Sequence, residues 1–219
     1  MAISELAHFF INPDASLKDF IQIYDDCVDY SLCDLIIAEY APDDPSWITS
    51  TIMTDTGGSA ANPRYRNSRE TCLSLQSVID ENPLVRRDID QRVFEICSKV
   101  WNDYVSRVTP YIKTKHDSGY QLLAYGVGAY FQEHTDALYY PEIREGDYVH
   151  IDHCAARQIS ISIQLNDNYE GGELTFFNGK YSVPKKKGLV TVFPSYSLFP
   201  HQVTAVTSGC RFSIVTWFS

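Results

Sequence analysis

No run of about 18 apolar residues, the length that a helix needs to cross a bilayer, occurs in this chain of 219 residues. The first residues, MAISELAHFFINPDAS, lack the basic start and the long apolar run of a secretory signal peptide. The six cysteines are scattered and include no C-x-x-C pair. In a chain of this length such cysteines are expected to be free thiols in a reducing compartment. These absences predict a cytoplasmic protein with no membrane partner.

Positive charge is also scarce, because 18 lysines and arginines stand against 28 aspartates and glutamates and leave a net charge of −10. Proteins that hold nucleic acid through its phosphates carry the opposite balance. The composition therefore argues against a nucleic-acid partner. The one basic run, PKKKG at 184–188, is flanked by Pro and Gly and is typical of a solvated turn.

Two segments of the first half have helical periodicity. One opens at Ser16, a suitable N-cap residue, and continues with Phe20 and Tyr24 at helical spacing. The other covers 83–108, and both helices are expected to pack against a sheet. Between them, 53–70 is rich in Gly, Ser, Asn and Arg. This segment is predicted to be a long mobile loop, of a length that often forms a functional lid.

From residue 119 the pattern changes to short strands separated by turn signals, with no internal repeat. Helices followed by strands predict an α+β protein that is mainly β, with a sandwich supported by helices on one side. A chain of 219 residues is a normal length for one such domain. We therefore expect a single domain, in which residues 1–118 provide helical support and a lid and residues 119–219 form the β core.

One strand, at 157–166, alternates strictly between large aliphatic residues and polar residues, and two interpretations are open. The polar side chains form an exposed face, or they line a wet internal pocket while the aliphatic side chains pack against the helices. The aliphatic set is Ile159, Ile161, Ile163 and Leu165, and the polar set is Gln158, Ser160, Ser162 and Gln164.

Two histidine–aspartate pairs have the spacing of a metal site. His134 and Asp136 lie two residues apart in YFQEHTDALYY, and His150 and Asp152 repeat the spacing just ahead of His153. On a β-strand, positions i and i+2 point to the same face. Either pair is therefore able to bind one metal ion.

A third ligand is available in His201, on a strand-like run near the C-terminus. Two histidines and one carboxylate with open positions opposite suit Fe(II) that binds a co-substrate and oxygen. The segment 207–209, TSG, has the form of a three-residue hairpin loop that pairs Ala205 with Arg211. Arg211 then points to the side of His201 and suits the far end of a short dicarboxylate. A two-residue turn would point Arg211 outward, so this inference depends on the register.

Together, YGVGAYFQEHTD, RQISISIQLND, GGELTFF, GLVTVFPS and HQVTAVTSGCRFSIVTW resemble the Fe(II)- and 2-oxoglutarate-dependent dioxygenases, in particular the prolyl 4-hydroxylase-like group. The similarity covers residues 119–218, and the N-terminal half is similar only in general layout. The resemblance implies a double-stranded β-helix, or jelly-roll, core supported by the N-terminal helices. It also implies Fe(II), 2-oxoglutarate and O2 as cofactors and co-substrates, with ascorbate as a reductant.

For the metal, the resemblance implies His134, Asp136 and His201 as ligands. It favours the first histidine–aspartate pair, because the YG-x-G strand that leads into the motif of the family precedes His134 and not His150. The second pair then falls in 137–156, a loop over the mouth of the active site. In that loop, His150, Asp152 and His153 are expected either to be exposed to solvent or to contact the substrate.

The resemblance implies roles for five further residues. Arg211, ten residues after the distal histidine, binds the far carboxylate of 2-oxoglutarate, and Tyr125 and Ser160 lie near the same co-substrate. Phe131 and Trp217 line the substrate site. Collagen-type enzymes usually have lysine at the place of Arg211 and often tyrosine at the place of Phe131. These departures leave the substrate class open.

Three functions follow as hypotheses. The first is a hydroxylase that acts on a peptidyl or protein side chain, with proline as the first choice, while 53–70 and 137–156 close as lids. Oxidative decarboxylation of 2-oxoglutarate to succinate would drive the oxidation of a C–H bond. The second is the same chemistry on a free amino acid or small metabolite, and the third is a non-catalytic jelly-roll binding module. An open site favours a peptide and a closed pocket a small molecule, while the oligomeric state is not predicted.

Overall fold

The computed structural model describes residues 16–53, 59–74, 84–108, 112, 114, 116–137, 143–145, 148–150 and 157–219. Over these residues the chain is mainly β, with two α-helices, α1 (Tyr30–Glu39) and α2 (Leu84–Arg107), and a short 3-10 turn at Leu17–Phe20. Neither helix combines the length and the apolar character that a membrane span requires.

The strands are short. In chain order they are β1 (Gln22–Tyr24), β2 (Ile48–Thr49), β3 (Ile52–Met53), β4 (Ser59–Ala60), β5 (Arg69–Cys72), β6 (Gln121–Tyr125), β7 (Phe131–His134), β8 (Ile143–Glu145), β9 (Tyr148–His150), β10 (Ile159–Gln164), β11 (Glu170–Gly171), β12 (Leu174–Phe176), β13 (Tyr181–Ser182), β14 (Val190–Pro194), β15 (His201–Val203), β16 (Val206–Ser208) and β17 (Arg211–Phe218).

Two antiparallel sheets hold most of these strands. The larger has the order β1-β14-β10-β17-β6-β5-β2, and the smaller has the order β13-β12-β15-β7. The pairs β3-β4, β8-β9 and β11-β16 lie apart from them. The first half of the chain supplies β1, β2 and β5 to the larger sheet, so the expected division into helices first and strands afterwards is too simple.

One face of the seven-stranded sheet packs against the two helices and forms the larger hydrophobic core. Apolar residues of both helices meet the isoleucines of β10 in this core, so the prediction that these isoleucines pack against the helices is confirmed. The contacts come from Leu32, Cys33 and Ile36 of α1, from Ile89, Val93, Cys97, Val100 and Tyr104 of α2, and from Ile159, Ile161 and Ile163 of β10.

The polar residues of β10 point to the other face of the same sheet. Ser160 is 2% exposed and Ser162 is 8% exposed, so the interpretation of an exposed polar face is wrong. Both side chains line a pocket between the two sheets, as the alternative interpretation predicts. A second hydrophobic core, which includes Phe176 and Phe193, lies on this side.

The helix predicted from Ser16 onward is wrong beyond its first turn. The carboxylate of Asp19 accepts a hydrogen bond from the backbone N–H of Ser16 at 2.7 Å, but the 3-10 turn ends at Phe20 and β1 follows. Ile21 packs in the core between the sheets, while Tyr24 packs on the helix side. Pairing of β1 with β14 therefore overrides the helical spacing. The second predicted helix is confirmed as α2.

The segment 53–70 is more regular than the predicted loop. Its described part contains β4 and the start of β5. Arg66 is buried, forms a β-bridge with Phe131, and makes an ion pair with Glu70 at 3.2 Å. These contacts fix the second half of the segment beside β7. Residues 54–58 lie outside the described part, as does most of the second predicted lid, 137–156.

The basic run at 184–188 is a turn, as predicted, and its charges have partners. Lys186 lies 3.4 Å from Asp25 and 3.3 Å from Asp26, and Lys187 pairs with Asp34. Lys186 and Lys187 therefore neutralise an acidic segment of the same chain, and Lys185 lies 3.9 Å from Glu173, which is consistent with the argument against phosphate binding.

A cavity in the larger hydrophobic core is expected to lower the stability of the fold. Ile163→Ala is expected to lower the free energy of unfolding by about 2–5 kcal/mol, because Ile163 is 1% exposed between β10 and the helices. Ile48→Ala is the matched control, since Ile48 is 57% exposed and surface substitutions change stability by about 0.5 kcal/mol or less. Urea unfolding followed by circular dichroism measures both. Equal costs would contradict the packing described here.

Candidate metal centre and pocket

A pocket of about 510 Å³, including its mouth, lies between the two sheets. The predicted metal ligands come from the smaller sheet and the residues next to it, and Arg211 and the serines come from the larger sheet. Apolar side chains form most of the remaining wall. They include Leu123, Leu174, Phe193, Val203 and Val215.

Three of the predicted ligands meet at one side of this pocket. In the pairing of β7 with β15, His134 stands opposite His201, so the two imidazoles lie side by side. Asp136 follows β7 and places one carboxylate oxygen 3.6 Å from Nε2 of His134 and the other 3.6 Å from Nε2 of His201. The three ligand atoms lie within 4.8 Å of one another. Such a cluster is compact enough to bind one metal ion.

Backbone hydrogen bonds fix which nitrogen of each imidazole faces the cluster. Nδ1 of His134 lies 2.8 Å from the carbonyl oxygen of Gln132, and Nδ1 of His201 lies 3.0 Å from that of Phe199. A carbonyl only accepts hydrogen bonds, so each Nδ1 carries the proton and each Nε2 presents a lone pair. Metal-binding histidines usually donate the N–H of the ring nitrogen that does not bind the metal to a carbonyl or carboxylate in this way.

Aromatic rings hold the two histidines in place. The ring of Phe131 stacks on that of His134, with centroids 3.5 Å apart. Phe176 and Phe193 lie 5.4 Å and 4.9 Å from His201 between their ring centroids. Rotation of either imidazole would disrupt this packing, so the cluster is preorganised.

The surroundings also favour the protonation states that metal binding requires. Burial lowers the pKa of His134, and the electrostatic interaction with His201 lowers it further. Burial acts to raise the pKa of Asp136, but the interactions with His201 and His134 and the hydrogen bond from Ser160 outweigh it and hold this pKa below its usual value. A neutral imidazole and an ionised carboxylate are the ligand forms for a divalent metal.

Arg211 lies in the same pocket, on the opposing sheet. Its side chain is almost fully buried, its Nη1 donates to Oγ of Ser213 at 2.8 Å, and its guanidinium lies 5.2 Å from the ring centroid of Tyr125. Its buried Nε has no hydrogen-bond partner, and no carboxylate of the described residues forms an ion pair with it. A buried guanidinium in this state is suited to an anionic ligand.

The predicted hairpin at 207–209 is wrong, although Arg211 does face the pocket. β16 pairs with β11, and β17 pairs with β6 and β10. The turn at Gly209, whose φ is +74°, therefore leads from one sheet to the other rather than closing a hairpin. His201 and Arg211 face each other across the space between the sheets, which local loop length did not reveal.

The other predicted site residues all line the pocket as well. These residues are Tyr125, Phe131, Ser160 and Trp217. Ser160 donates a hydrogen bond to Asp136 at 2.7 Å, and Trp217 has the guanidinium of Arg157 3.6 Å from its ring centroid.

Of the second histidine–aspartate pair, the structure describes only the backbone of His150. His150 belongs to β9, where its backbone pairs with Ile143 of β8. Its side chain, together with Asp152 and His153, lies outside the described residues.

Several residues near the site were given no role by the sequence, among them Arg66, Arg157 and Ser195. The guanidinium of Arg66 lies 4.8 Å from the ring centroid of Phe131, and the ring of Phe131 stacks on His134. Arg157 contacts Trp217, and Ser195 contacts Ser160. No spacing connects these residues to the ligands, because they come from separate segments. The only sequence signal was the position of Arg157 at the opening of the alternating strand.

Comparison with known proteins agrees with this geometry. Residues 120–219 match the sequence model of the 2OG-Fe(II) oxygenase superfamily. A PKHD-type hydroxylase of Shewanella frigidimarina is 25% identical over 162 residues, which cover 72% of this chain and 58% of that protein. The chain thus spans less than two thirds of the length of this relative.

Solved structures share the fold. A prolyl-4-hydroxylase of Pseudomonas putida superposes with a TM-score of 0.67 at 14% identity, over 91% of this chain and 92% of that one. A prolyl hydroxylase from Trichoplax adhaerens, solved in complex with a peptide fragment of the hypoxia inducible factor oxygen degradation domain, superposes with a TM-score of 0.62 at 14% identity. That match covers 100% of this chain and 93% of the other. At such identities the likeness shows a common fold.

Proposed function

Residues 120–219 belong to the 2OG-Fe(II) oxygenase superfamily, and from this premise we propose that the chain is an iron- and 2-oxoglutarate-dependent dioxygenase that hydroxylates its substrate. One observation carries the proposal. The cluster of His134, Asp136 and His201 shares a pocket with the buried guanidinium of Arg211, which lacks an acidic partner among the described residues. Two imidazoles and one carboxylate fit Fe(II), and Arg211 fits the far carboxylate of 2-oxoglutarate.

We propose a double-stranded β-helix for the two facing sheets and a single domain for the whole chain. The ligand cluster between two antiparallel sheets supports the first part. The second part is supported by β1, β2 and β5, which come from residues 1–118 and hydrogen-bond within the sheet of residues 119–219. The N-terminal half then provides helical support and edge strands to one core.

In this proposal the side chains bind and orient rather than exchange protons. His134, Asp136 and His201 hold the iron, and Arg211 holds the far end of the co-substrate, with Tyr125 and Ser213 beside it. Bound iron with 2-oxoglutarate and O2 supplies the oxidation of a C–H bond, with succinate and carbon dioxide as products. The apolar walls exclude water from the reacting atoms. Ascorbate, as a reductant, is part of the proposal.

For the substrate we propose a peptidyl or protein side chain, with proline first. The PKHD-type hydroxylase relative and the peptide complex of the similar prolyl hydroxylase support this choice. Trp217 and Phe131 both line the pocket, where a bound proline ring would contact them. The net charge of −10 favours neither DNA nor RNA as a partner. The cluster of metal-ligand side chains, in which Nε2 of both histidines faces Asp136, argues against a non-catalytic binding module.

The direct test supplies the purified protein with Fe(II), ascorbate, 2-oxoglutarate and a panel of peptides, and detects the gain of one oxygen atom by mass spectrometry. Proline-containing peptides are expected to gain oxygen. Oxidation of free amino acids or small metabolites, without any oxidation of the peptides, would replace the peptide substrate by a small molecule. No consumption of 2-oxoglutarate with any substrate would contradict the proposed chemistry.

We also propose a reducing, cytoplasmic setting. It rests on five cysteines that are free thiols in the structure, namely Cys27, Cys33, Cys72, Cys97 and Cys210. Burial raises the pKa of Cys97, Cys33 and the other three thiols. Their thiolate forms, which form disulfides, are therefore disfavoured.

Trp217→Ala is expected to weaken binding of a substrate peptide by about 1–3 kcal/mol through lost apolar contact. Decarboxylation of 2-oxoglutarate without peptide should persist when Fe(II) is supplied in excess, since no iron or co-substrate ligand is removed, although Asp136 loses its hydrogen bond with Trp217. Peptide affinity by fluorescence anisotropy and succinate formation without peptide measure the two effects. Trp101→Ala is the matched control, because Trp101 stacks on Phe218 near the helix core, with centroids 5.5 Å apart. Equal peptide affinities in both variants would contradict this role.

A further inference from the structure

Ser195, which no part of the proposed function uses, is joined to the metal centre through one other hydroxyl. Oγ of Ser195 lies 2.8 Å from Oγ of Ser160, and Oγ of Ser160 donates to Oδ2 of Asp136 at 2.7 Å. Ser195 is 1% exposed and Ser160 is 2% exposed. Three separate segments of the chain therefore meet in one buried chain of hydrogen bonds.

The direction of these hydrogen bonds follows from the number of protons. A serine hydroxyl has one proton to donate, and an ionised carboxylate only accepts. The proton of Ser160 goes to Asp136, so Ser195 must donate its own proton to Ser160. Both hydroxyl dipoles point toward Asp136. Hydrogen bonds in such a chain strengthen one another, and the last one is charge-assisted.

The backbone holds Ser195 firmly. It directly follows β14, and its N–H donates to the carbonyl of Gln158 at 3.0 Å, just before β10 begins. The turn that follows Ser195, closed by a hydrogen bond from Phe199 to Tyr196, leads into β15, whose first residue is His201. The hydroxyl of Ser195 is thus fixed relative to β10 and relative to a metal ligand.

We infer that Ser195 and Ser160 are positioning residues that orient Asp136 for metal binding. The inference rests on the proposed function and names residues that act on its metal site. It differs from the co-substrate role that the resemblance implies for Ser160. The proton of Ser160 is already donated to Asp136, and a carboxylate of 2-oxoglutarate has no proton to give. The hydroxyl of Ser160 is therefore unable to bind the co-substrate while it holds Asp136.

The test measures the dissociation constant of Mn(II) by electron paramagnetic resonance and the visible absorption of bound Co(II). Ser195→Ala and Ser160→Ala are each expected to weaken Mn(II) binding by about 10–100-fold, the usual effect of removing an outer partner of a metal ligand. Both should change the Co(II) spectrum. Because they act through one chain, the double variant should be no worse than Ser160→Ala.

Three further variants separate positioning from a general loss of structure. Ser160→Thr keeps the hydroxyl and should restore Mn(II) affinity. Ser195→Cys keeps nearly the same volume but is a weak donor, so it should bind Mn(II) more weakly than wild type even if Ser195→Ala fails to fold. Ser50→Ala removes one member of another buried serine pair, in which Oγ of Ser68 donates to Oγ of Ser50 at 2.9 Å, and should leave Mn(II) affinity unchanged.

Two results would overturn the inference. One is wild-type Mn(II) affinity in both Ser195→Ala and Ser195→Cys. The other is a Ser160→Ala variant with unchanged Mn(II) affinity and a raised KM for 2-oxoglutarate, which would make Ser160 a co-substrate contact. A wild-type protein that binds no Mn(II) would instead refute the proposed function itself, and the inference with it.

Discussion

Alanine in place of His134, Asp136 or His201 is expected to abolish 2-oxoglutarate turnover while the protein stays folded. The three ligand atoms lie within 4.8 Å of one another, so the loss of any one leaves a two-ligand site that also lacks its preorganised geometry. Asp136 lies 3.6 Å from both imidazoles, so Asp136→Ala removes the ligand that the two histidines share. Succinate formation and the far-UV circular dichroism spectrum measure activity and folding in the same samples.

The matched control for these variants is His116→Ala. His116 is exposed, and its backbone makes the hydrogen bonds with Ser219, so its side chain should be dispensable. His150→Ala tests the second histidine–aspartate pair. Activity that survives His134→Ala but not His150→Ala would show that the first pair is not the metal site.

Arg211→Ala is expected to raise the apparent KM for 2-oxoglutarate by at least about tenfold. Removing one partner of a buried charge pair costs roughly 2–5 kcal/mol, and each 1.4 kcal/mol corresponds to about a factor of ten. Arg211 is 2% exposed and its Nε has no partner, so no solvent or neighbouring carboxylate replaces the lost contact. Steady-state kinetics with varied 2-oxoglutarate measure this change, while Mn(II) affinity should be preserved.

Arg211→Lys refines the same experiment. Lysine keeps the charge but loses the fork of donors that binds a carboxylate through two hydrogen bonds, so its KM should lie between wild type and Arg211→Ala. Arg92→Ala is the control, since Arg92 makes a surface ion pair with Asp88 at 3.5 Å. A wild-type KM in Arg211→Ala would contradict the placement of the co-substrate.

Strand periodicity made two histidine–aspartate pairs candidates for a metal site, and only the family resemblance favoured His134 and Asp136. In the structure β7 ends at His134, and Asp136 follows it. The polar face of β10 followed from the same period, with Ser160 and Ser162 in the pocket. Local periodicity did not choose between an exposed face and a buried one, since that depends on the opposing sheet.

The errors arose where long-range pairing decides the structure. The segment after Ser16 has helical spacing, but its backbone hydrogen bonds are made with β14, about 170 residues later in the chain. The predicted hairpin at 207–209 assumed that neighbouring strands pair, whereas β16 and β17 lie in different sheets. Arg211 faces the predicted pocket because β17 pairs with β10 and β6 in the larger sheet, and this long-range pairing does not follow from local loop length.

Residues that act through other residues were the hardest to find. Ser195 and Arg66 carry no motif, and each contacts the metal centre only through a second side chain. Their partners lie 35 and 65 residues away in the chain. A single sequence carries no signal for such contacts, because they arise only when the two sheets face each other.

The most direct test of the whole account is an anaerobic titration of the purified protein with Fe(II) and 2-oxoglutarate, followed by visible absorption. Chelation of iron by the keto acid gives a charge-transfer band, which reports the metal end and the co-substrate end of the pocket together. The account predicts this band in wild type and in His116→Ala, its loss in Asp136→Ala, and a requirement for at least about tenfold more 2-oxoglutarate in Arg211→Ala. No band in wild type, or an unchanged band in Asp136→Ala, would contradict it.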